Sequence, residues 1–223
     1  GPLIVEDPSE PADYDHDWTV VLDDWIDGTG YTPDQVLDAL RKGMGGMGMA
    51  AASPSPMSSM SGMSSGPRGP NPVLSGAPSA LLGGDAGDVR YPWYLINGRV
   101  RTAPRTFSAH PGQRARIRFI NAAADTSFRV ALGGHQMTVT HTDGYPVTPV
   151  TADAVLIGMG ERYDVQVTLG DGVFPLTALA EGKNATALAL VRTGAGEPPP
   201  PAVRPAELNG ALASYGILRA APS

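Results

Sequence analysis

Six of the eight methionines in this 223-residue chain, Met44, Met47, Met49, Met57, Met60 and Met63, fall in one Gly- and Ser-rich stretch. Thioether sulfur is a soft, uncharged donor that selects Cu(I) over harder divalent ions, and a pliant backbone lets several sulfurs converge on one ion. The competing reading is a surface spacer in which methionine is incidental, although exposed spacers seldom favour so many oxidisable apolar side chains. Other metal-capable residues are sparse: there is no Cys, and the only histidines are His16, His110, His135 and His141. Zero Cys excludes disulfides, thiolate catalysis and Cys-based zinc or iron sites, and it suits either redox compartment. His135 and His141 would share one face of a strand, but six strand residues span about 20 Å, too far for both to bind one ion. Both are expected as satisfied core or interface histidines, and His16 and His110, beside charged or turn residues, as exposed ones. His141, Asp143 and Glu161 lack a nucleophile or oxyanion donor beside them, so Asp143-Gly144 reads as a turn and no catalytic or cofactor-binding residue is expected. Gly158 and Gly160 precede neither a helix pattern nor a Lys-Ser/Thr pair, which excludes a phosphate loop.

The elements that must position these residues are strands. Gly (28) and Pro (22) are abundant enough for an all-β protein rich in turns. A formal charge of -6 lacks the basic footprint that nucleic acid requires and disfavours an anionic membrane surface. No run approaches the roughly 20 apolar residues of a membrane span.

Along the chain, Gly1 to Pro8 is an apolar strand fragment with no partner before it. It reads as the tail of a preceding domain (1–12), with a cleavage scar at Gly1-Pro2 as the alternative. Trp18, Val20 and Leu22 alternate with Thr19, Val21 and Asp23, the period of a half-buried strand. Thr32, Pro33 and Gln35 predict a capped helix with Val36, Leu37 and Leu40 on its apolar face and Gly43 at its end. Low complexity then predicts a flexible insertion over 43–88 within a domain spanning 13–196. Beyond it, Trp93 to Ile96 leads into Asn97-Gly98, a type I′ hairpin signal. Ala115, Ile117 and Phe119 are expected inward, with Arg114, Arg116 and Arg118 forming a solvated or domain-facing stripe. Phe128 to Leu132, His135 to His141, Tyr163 to Val167, Leu176 to Leu179 and Ala187 to Val191 continue the pattern. Eight or so strands, one short helix and no βαβ alternation predict a Greek-key β-sandwich. Tyr91, Trp93 and Tyr94 either line a cleft or pack a sandwich edge. The Pro-rich run from Glu197 to Pro205 reads as a linker toward a following domain (197–223), with helix-compatible sequence from Glu207 to Tyr215.

Several of these pieces together resemble the middle cupredoxin domain of bacterial three-domain multicopper oxidases, the laccase and copper-efflux oxidase family. They are GPLIVEDP at Gly1 to Pro8, VVLDDW at Val20 to Trp25, YLINGR at Tyr94 to Arg99, HTDGYPVTPV from His141, LIGMGERYDVQV from Leu156, and LASYGILRAAPS at the C-terminal end. The resemblance implies a cupredoxin-like sandwich flanked by first and third cupredoxin domains. Its parent would oxidise phenols, amines or Cu(I) and reduce O2 to water in the periplasm or outside the cell. Copper in that family sits on a Cys thiolate with two His, and on His-x-His pairs; this sequence has neither. The resemblance therefore implies a copper-free central domain that places its neighbours. A stand-alone Cu(I)-binding or delivery protein on the same scaffold, or a purely structural interaction module, are the alternatives.

Overall fold

The computed structural model describes residues 2–5, 13–28, 30–46 and 76–222. Its strands are β1 His16–Trp25, β2 Trp93–Ile96, β3 Arg105–Ser108, β4 Arg114–Asn121, β5 Phe128–Leu132, β6 Met137–Thr142, β7 Tyr145–Ala152, β8 Ala154–Ile157, β9 Arg162–Thr168, β10 Val173–Ala180, β11 Ala185–Arg192 and β12 Leu212–Ala213. They form two six-stranded sheets, in the order β2-β1-β4-β9-β6-β7 and β12-β8-β5-β10-β11-β3. The expected all-β sandwich is thus the fold found.

Alternation makes the core. Val20 and Leu22 of β1, Ala115, Ile117 and Phe119 of β4, and Tyr163, Val165 and Val167 of β9 are all buried. The register sets Ile117 opposite Val165 and Phe119 opposite Tyr163, so these side chains share one inner face. Phe128, Val130, Leu132, Leu176, Ala178, Ala187, Ala189 and Val191 cover it from the second sheet. Burying such side chains contributes about 1.5–3 kcal/mol for each large one, the main term favouring the sandwich.

The one α-helix among the described residues, α1, spans Pro33–Gly46. Its capping box forms as expected: Thr32 N–H donates to Gln35 Oε1 at 2.9 Å and Gln35 N–H to Thr32 Oγ1 at 3.3 Å. Gly43 does not end it, because one helical glycine costs only about 1 kcal/mol relative to alanine. The Asn97-Gly98 turn has the positive φ of type I′ at both positions, 50° and 70°. It makes no two-stranded hairpin, however: β2 pairs with β1, and the next strand, β3, joins β11 in the other sheet.

Three segments depart further from the sequence reading. In β6 the register shifts between Val139 and His141, a bulge at Thr140 that turns His141 away from the face shared by Met137 and Val139. Residues 76–88, the end of the stretch read as a flexible insertion, are packed: Ala77, Ser79 and Ala86 are buried, the Ala77 amide donates to Gly87 O and the Ala86 amide donates to Ala77 O. The C-terminal segment is no helix. Pro205 precedes a 3-10 turn at Ala206–Asn209, β12 pairs in parallel with β8, and Leu208, Ala213 and Leu218 are buried.

Burial raises the pKa of three core-side phenols. Tyr94 is pushed up to about 12, while Tyr91, with Asp24 and Asp125 adding repulsion, and Tyr163 lie higher still. A phenol whose folded pKa exceeds its unfolded value of about 10 stabilises the fold fully below that pH, and the contribution is lost as pH rises toward 12 and beyond. Phenolate absorbance should therefore show these three tyrosines ionising only as the circular dichroism of the sandwich is lost. Seven tyrosines titrating together near pH 10 in a folded chain would refute this.

Candidate functional site

The outer face of the first sheet carries an ionic lattice. Arg116, Arg118 and Asp164 project from β4 and β9, and Asp17 from β1. Arg118 donates through Nε and Nη2 to Asp17, at 2.8 and 2.7 Å, and through Nη1 to Asp164 at 3.4 Å. Arg116 donates to the same Asp164 oxygen through Nη2 and, at 3.1 Å, through Nε. Its guanidinium lies 5.6 Å from the centre of the Tyr14 ring, and the residue is only 3% exposed. The stripe read as solvated or domain-facing is therefore desolvated at its centre. Arg114 is the exposed member; its guanidinium beside Asp13 holds that carboxyl below the ordinary range. Hydrogen bonding to Asp17 raises the pKa of Arg118. Arg116, Arg118, Asp13 and Asp164, together with Val5, Thr140, His141 and Pro149, border a groove of about 530 Å³. Buried ion pairs add little net stability because desolvation opposes Coulomb attraction.

A second constellation sits at the tip of the β10–β11 hairpin. Glu181 accepts from Ser79 Oγ at 2.9 Å and from Arg129 Nε and Nη2 at 3.0 and 2.5 Å, while Arg129 Nη1 donates to the Leu208 carbonyl at 2.8 Å. Lys183, with a fully buried side chain, donates to Asp125 O at 2.5 Å, Asp125 Oδ2 at 2.9 Å and Thr126 Oγ1 at 3.0 Å. Asp24 completes the cluster by accepting from the Ala124 and Asp125 amides and from Thr126 Oγ1. Between them Gly182 has φ +71°, and a Cβ there would lie 2.6 Å from Ala86 Cβ and 2.8 Å from Pro78 O. One turn thus fastens both the return of the inserted segment and the C-terminal segment to the sandwich.

Met44 lies in α1, and Met47, Met49, Met57, Met60 and Met63 lie outside the described residues. His16, expected exposed, is half-buried, stacked 5.4 Å from Trp18 with Nε2 2.8 Å from Gln113 Oε1. His110 is exposed as expected. His135 precedes β6 in a turn, where Nε2 accepts from Gly170 N–H at 2.9 Å and Nδ1 lies 2.9 Å from Gly133 O. His141 is half-buried with Nδ1 3.1 Å from Thr140 Oγ1. Among the described residues no three His, Cys, Asp or Glu side chains group to hold a metal. Asp143-Gly144 forms the turn expected of it, joining β6 to β7. Of the three aromatic residues, Tyr94 is buried, Tyr91 is partly so, and Trp93 is exposed. Asp24, Glu181, Lys183 and Arg129 were not singled out from sequence. Asp24 alone had a signal, a carboxylate continuing the inward phase of Trp18, Val20 and Leu22.

Comparison with known proteins places this arrangement. Residues 16–196 match the family model for multicopper oxidases. The chain is 53% identical over 220 residues to the multicopper oxidase MmcO of Mycobacterium tuberculosis, covering 99% of this chain and 40% of that protein. It is 29% identical over 211 residues to laccase-2 of Cryptococcus neoformans, covering 88% of this chain and 31% of that protein. The chain therefore spans well under half of either relative. Among solved structures, Fet3p, a multicopper oxidase that functions in iron import, superposes with a TM-score of 0.59 at 16% identity, covering 88% of this chain and 31% of that one. The blue copper oxidase of Nitrosomonas europaea gives 0.55 at 22%, covering 86% and 49%. At these identities the superpositions speak to the cupredoxin-like fold alone.

Proposed function

Because the chain belongs to the multicopper oxidase family, we propose that it is a copper-free central domain that orients first and third cupredoxin domains of a laccase-type oxidase. The observation that carries this reading is the donor set. A type 1 copper site needs a Cys thiolate beside two His. The chain has no Cys. Among the described contacts His16 meets Gln113, His135 the Gly133–Gly170 turn and His141 Thr140. The residues present do not fit the copper of the family, and no step of its reaction is assigned to them. A positional role is supported by the Arg116–Asp164–Arg118–Asp17 lattice, buried at Arg116, on an outer face that Val5, from the segment before β1, also borders.

In this reading the parent oxidises phenols, amines or Cu(I), reduces O2 to water, and works in the periplasm or outside the cell. No helix among the described residues is long and apolar enough to cross a membrane. The copper-supplemented chain alone is expected to consume no O2 with a phenolic substrate. Stoichiometric O2 consumption by the chain would overturn the proposal. Within the parent, Asp164→Ala is expected to weaken domain docking, because it leaves two guanidinium groups without their shared carboxylate. The check is limited proteolysis of the parent; unchanged cleavage between domains argues against the lattice as a docking face.

The clustering of six of eight methionines favours a second element, Cu(I) collection by Met44, Met47, Met49, Met57, Met60 and Met63. This element would also serve a stand-alone Cu(I)-binding or delivery protein. Replacing all six with Leu is expected to abolish Cu(I) retention in an anaerobic competition titration while thermal unfolding stays unchanged. Equal retention by both proteins would leave a spacer.

A further inference from the structure

Two exposed indoles occupy paired positions at one end of the first sheet. Trp25 ends β1 and Trp93 begins β2, directly opposite each other in the antiparallel ladder. Both lie on the outer face, 49% and 46% exposed. A single residue fixes both rings: Trp25 Nε1 donates to Asp27 Oδ2 at 2.9 Å and Trp93 Nε1 donates to Asp27 O at 2.9 Å. The turn that brings Asp27 there uses Gly28 at φ +85°, and a Cβ at Gly28 would stand 3.5 Å from Trp93 Nε1. With their polar edges committed, the indoles are left with π faces to offer.

Their surroundings are acidic. Asp23 lies two residues before Trp25 on the same face, and its carboxyl is pushed up by partial burial. No salt bridge reaches Asp23 or Asp27 among the described residues. Aromatic faces carry negative potential, strongest for Trp, and beside carboxylates they attract a weakly hydrated organic cation more than a neutral molecule of the same shape. An indole whose N–H is already engaged also has less rotamer freedom to lose on binding.

We propose that Trp25, Trp93, Asp23 and Asp27 form a binding site for a small organic cation of the quaternary ammonium type. The site goes beyond the positional role proposed above and does not depend on it, since it is read on this chain without copper, substrate or neighbouring domains.

Choline and its neutral isostere 3,3-dimethylbutan-1-ol separate charge from shape. In titrations of the full chain followed by the indole N–H resonances, choline is expected to shift the Trp25 and Trp93 signals saturably, with the Trp18 signal unmoved. The neutral alcohol should bind about tenfold more weakly or not at all. Trp93→Ala should lower choline affinity by about tenfold, and Asp27→Asn, which keeps an acceptor for Trp25 but removes the charge, by a smaller factor. Unchanged Trp18 resonances in each variant report an intact fold. Equal response to alcohol and choline, full affinity in Trp93→Ala, or no saturable shift by on the order of 10 mM choline would each overturn the site.

Discussion

A chain ended after Gly196 is expected to be less stable by on the order of 5 kcal/mol, enough to remove most of the margin by which a domain of this kind stays folded. The family match also stops at residue 196, so this truncation is the one a sequence boundary would suggest. The structure argues against it. The later segment puts Leu208, Ala213 and Leu218 into buried positions. It hydrogen-bonds the free edge of each sheet: β12 runs beside β8, while the Thr148 amide donates to Arg219 O and the Ala221 amide to Pro146 O along β7. Asp153 accepts from the Ala211 amide at 2.6 Å, and Glu207 accepts from the Gly134 amide at 2.8 Å. Truncation would uncover apolar surface and two unpaired strand edges together, which is the condition for edge-to-edge aggregation. Denaturant titration of chains ending at 196 and 223 decides the matter. Equal midpoints and slopes would show that the segment merely lies on the sandwich.

Glu181→Ala should destabilise the chain by about 3–5 kcal/mol, the cost of stranding a buried charge partner. Its side chain is 8% exposed, and it is the carboxylate shared by Ser79 and Arg129. Without it the Arg129 guanidinium keeps only the Leu208 carbonyl among its named partners, and the Ser79 hydroxyl loses its acceptor. Glu181→Gln should recover part of the loss, because the amide oxygen can still accept while the charge is gone. Hydrogen exchange distinguishes this from a general loosening: protection should fall first at 77–89 and 206–213, the two stretches that the hairpin tip fastens. Uniform loss of protection would refute a local tether, and a loss below about 1 kcal/mol would refute a buried pair.

The strands were legible because their apolar residues alternate, and alternation survives any tertiary detail: Ile117 and Val165 had to face inward once they were strands. The helix start was legible for an equally local reason, since Thr32 and Gln35 satisfy each other's amides. The packed parts of 76–90 and 203–221 were not. Their buried residues, such as Ala77, Ser79, Leu208 and Leu218, are solitary anchors separated by Gly, Pro and polar positions, so no period marks them. The bulge at Thr140 also left no trace in the sequence, and it reversed the face of His141. At the candidate interface, composition showed the arginines but not their carboxylates, because Asp17 and Asp164 meet Arg116 and Arg118 only through strand order. The Trp pair was half visible: Trp93 was noted as an aromatic residue, whereas its register partner Trp25 and their common acceptor Asp27 required the ladder.

The tethering of Ala77 and Ser79 to the sandwich has an evolutionary consequence. The chain leaves one fixed point at Trp25 and is held at another at Ala77, and for any stretch joining two such points without packing of its own, length enters folding chiefly through loop-closure entropy. Doubling such a loop costs only about 0.6 kcal/mol. On the Cu(I) reading proposed above, changes of length or composition between these two points would cost the host domain little, so metal handling and fold could be altered separately.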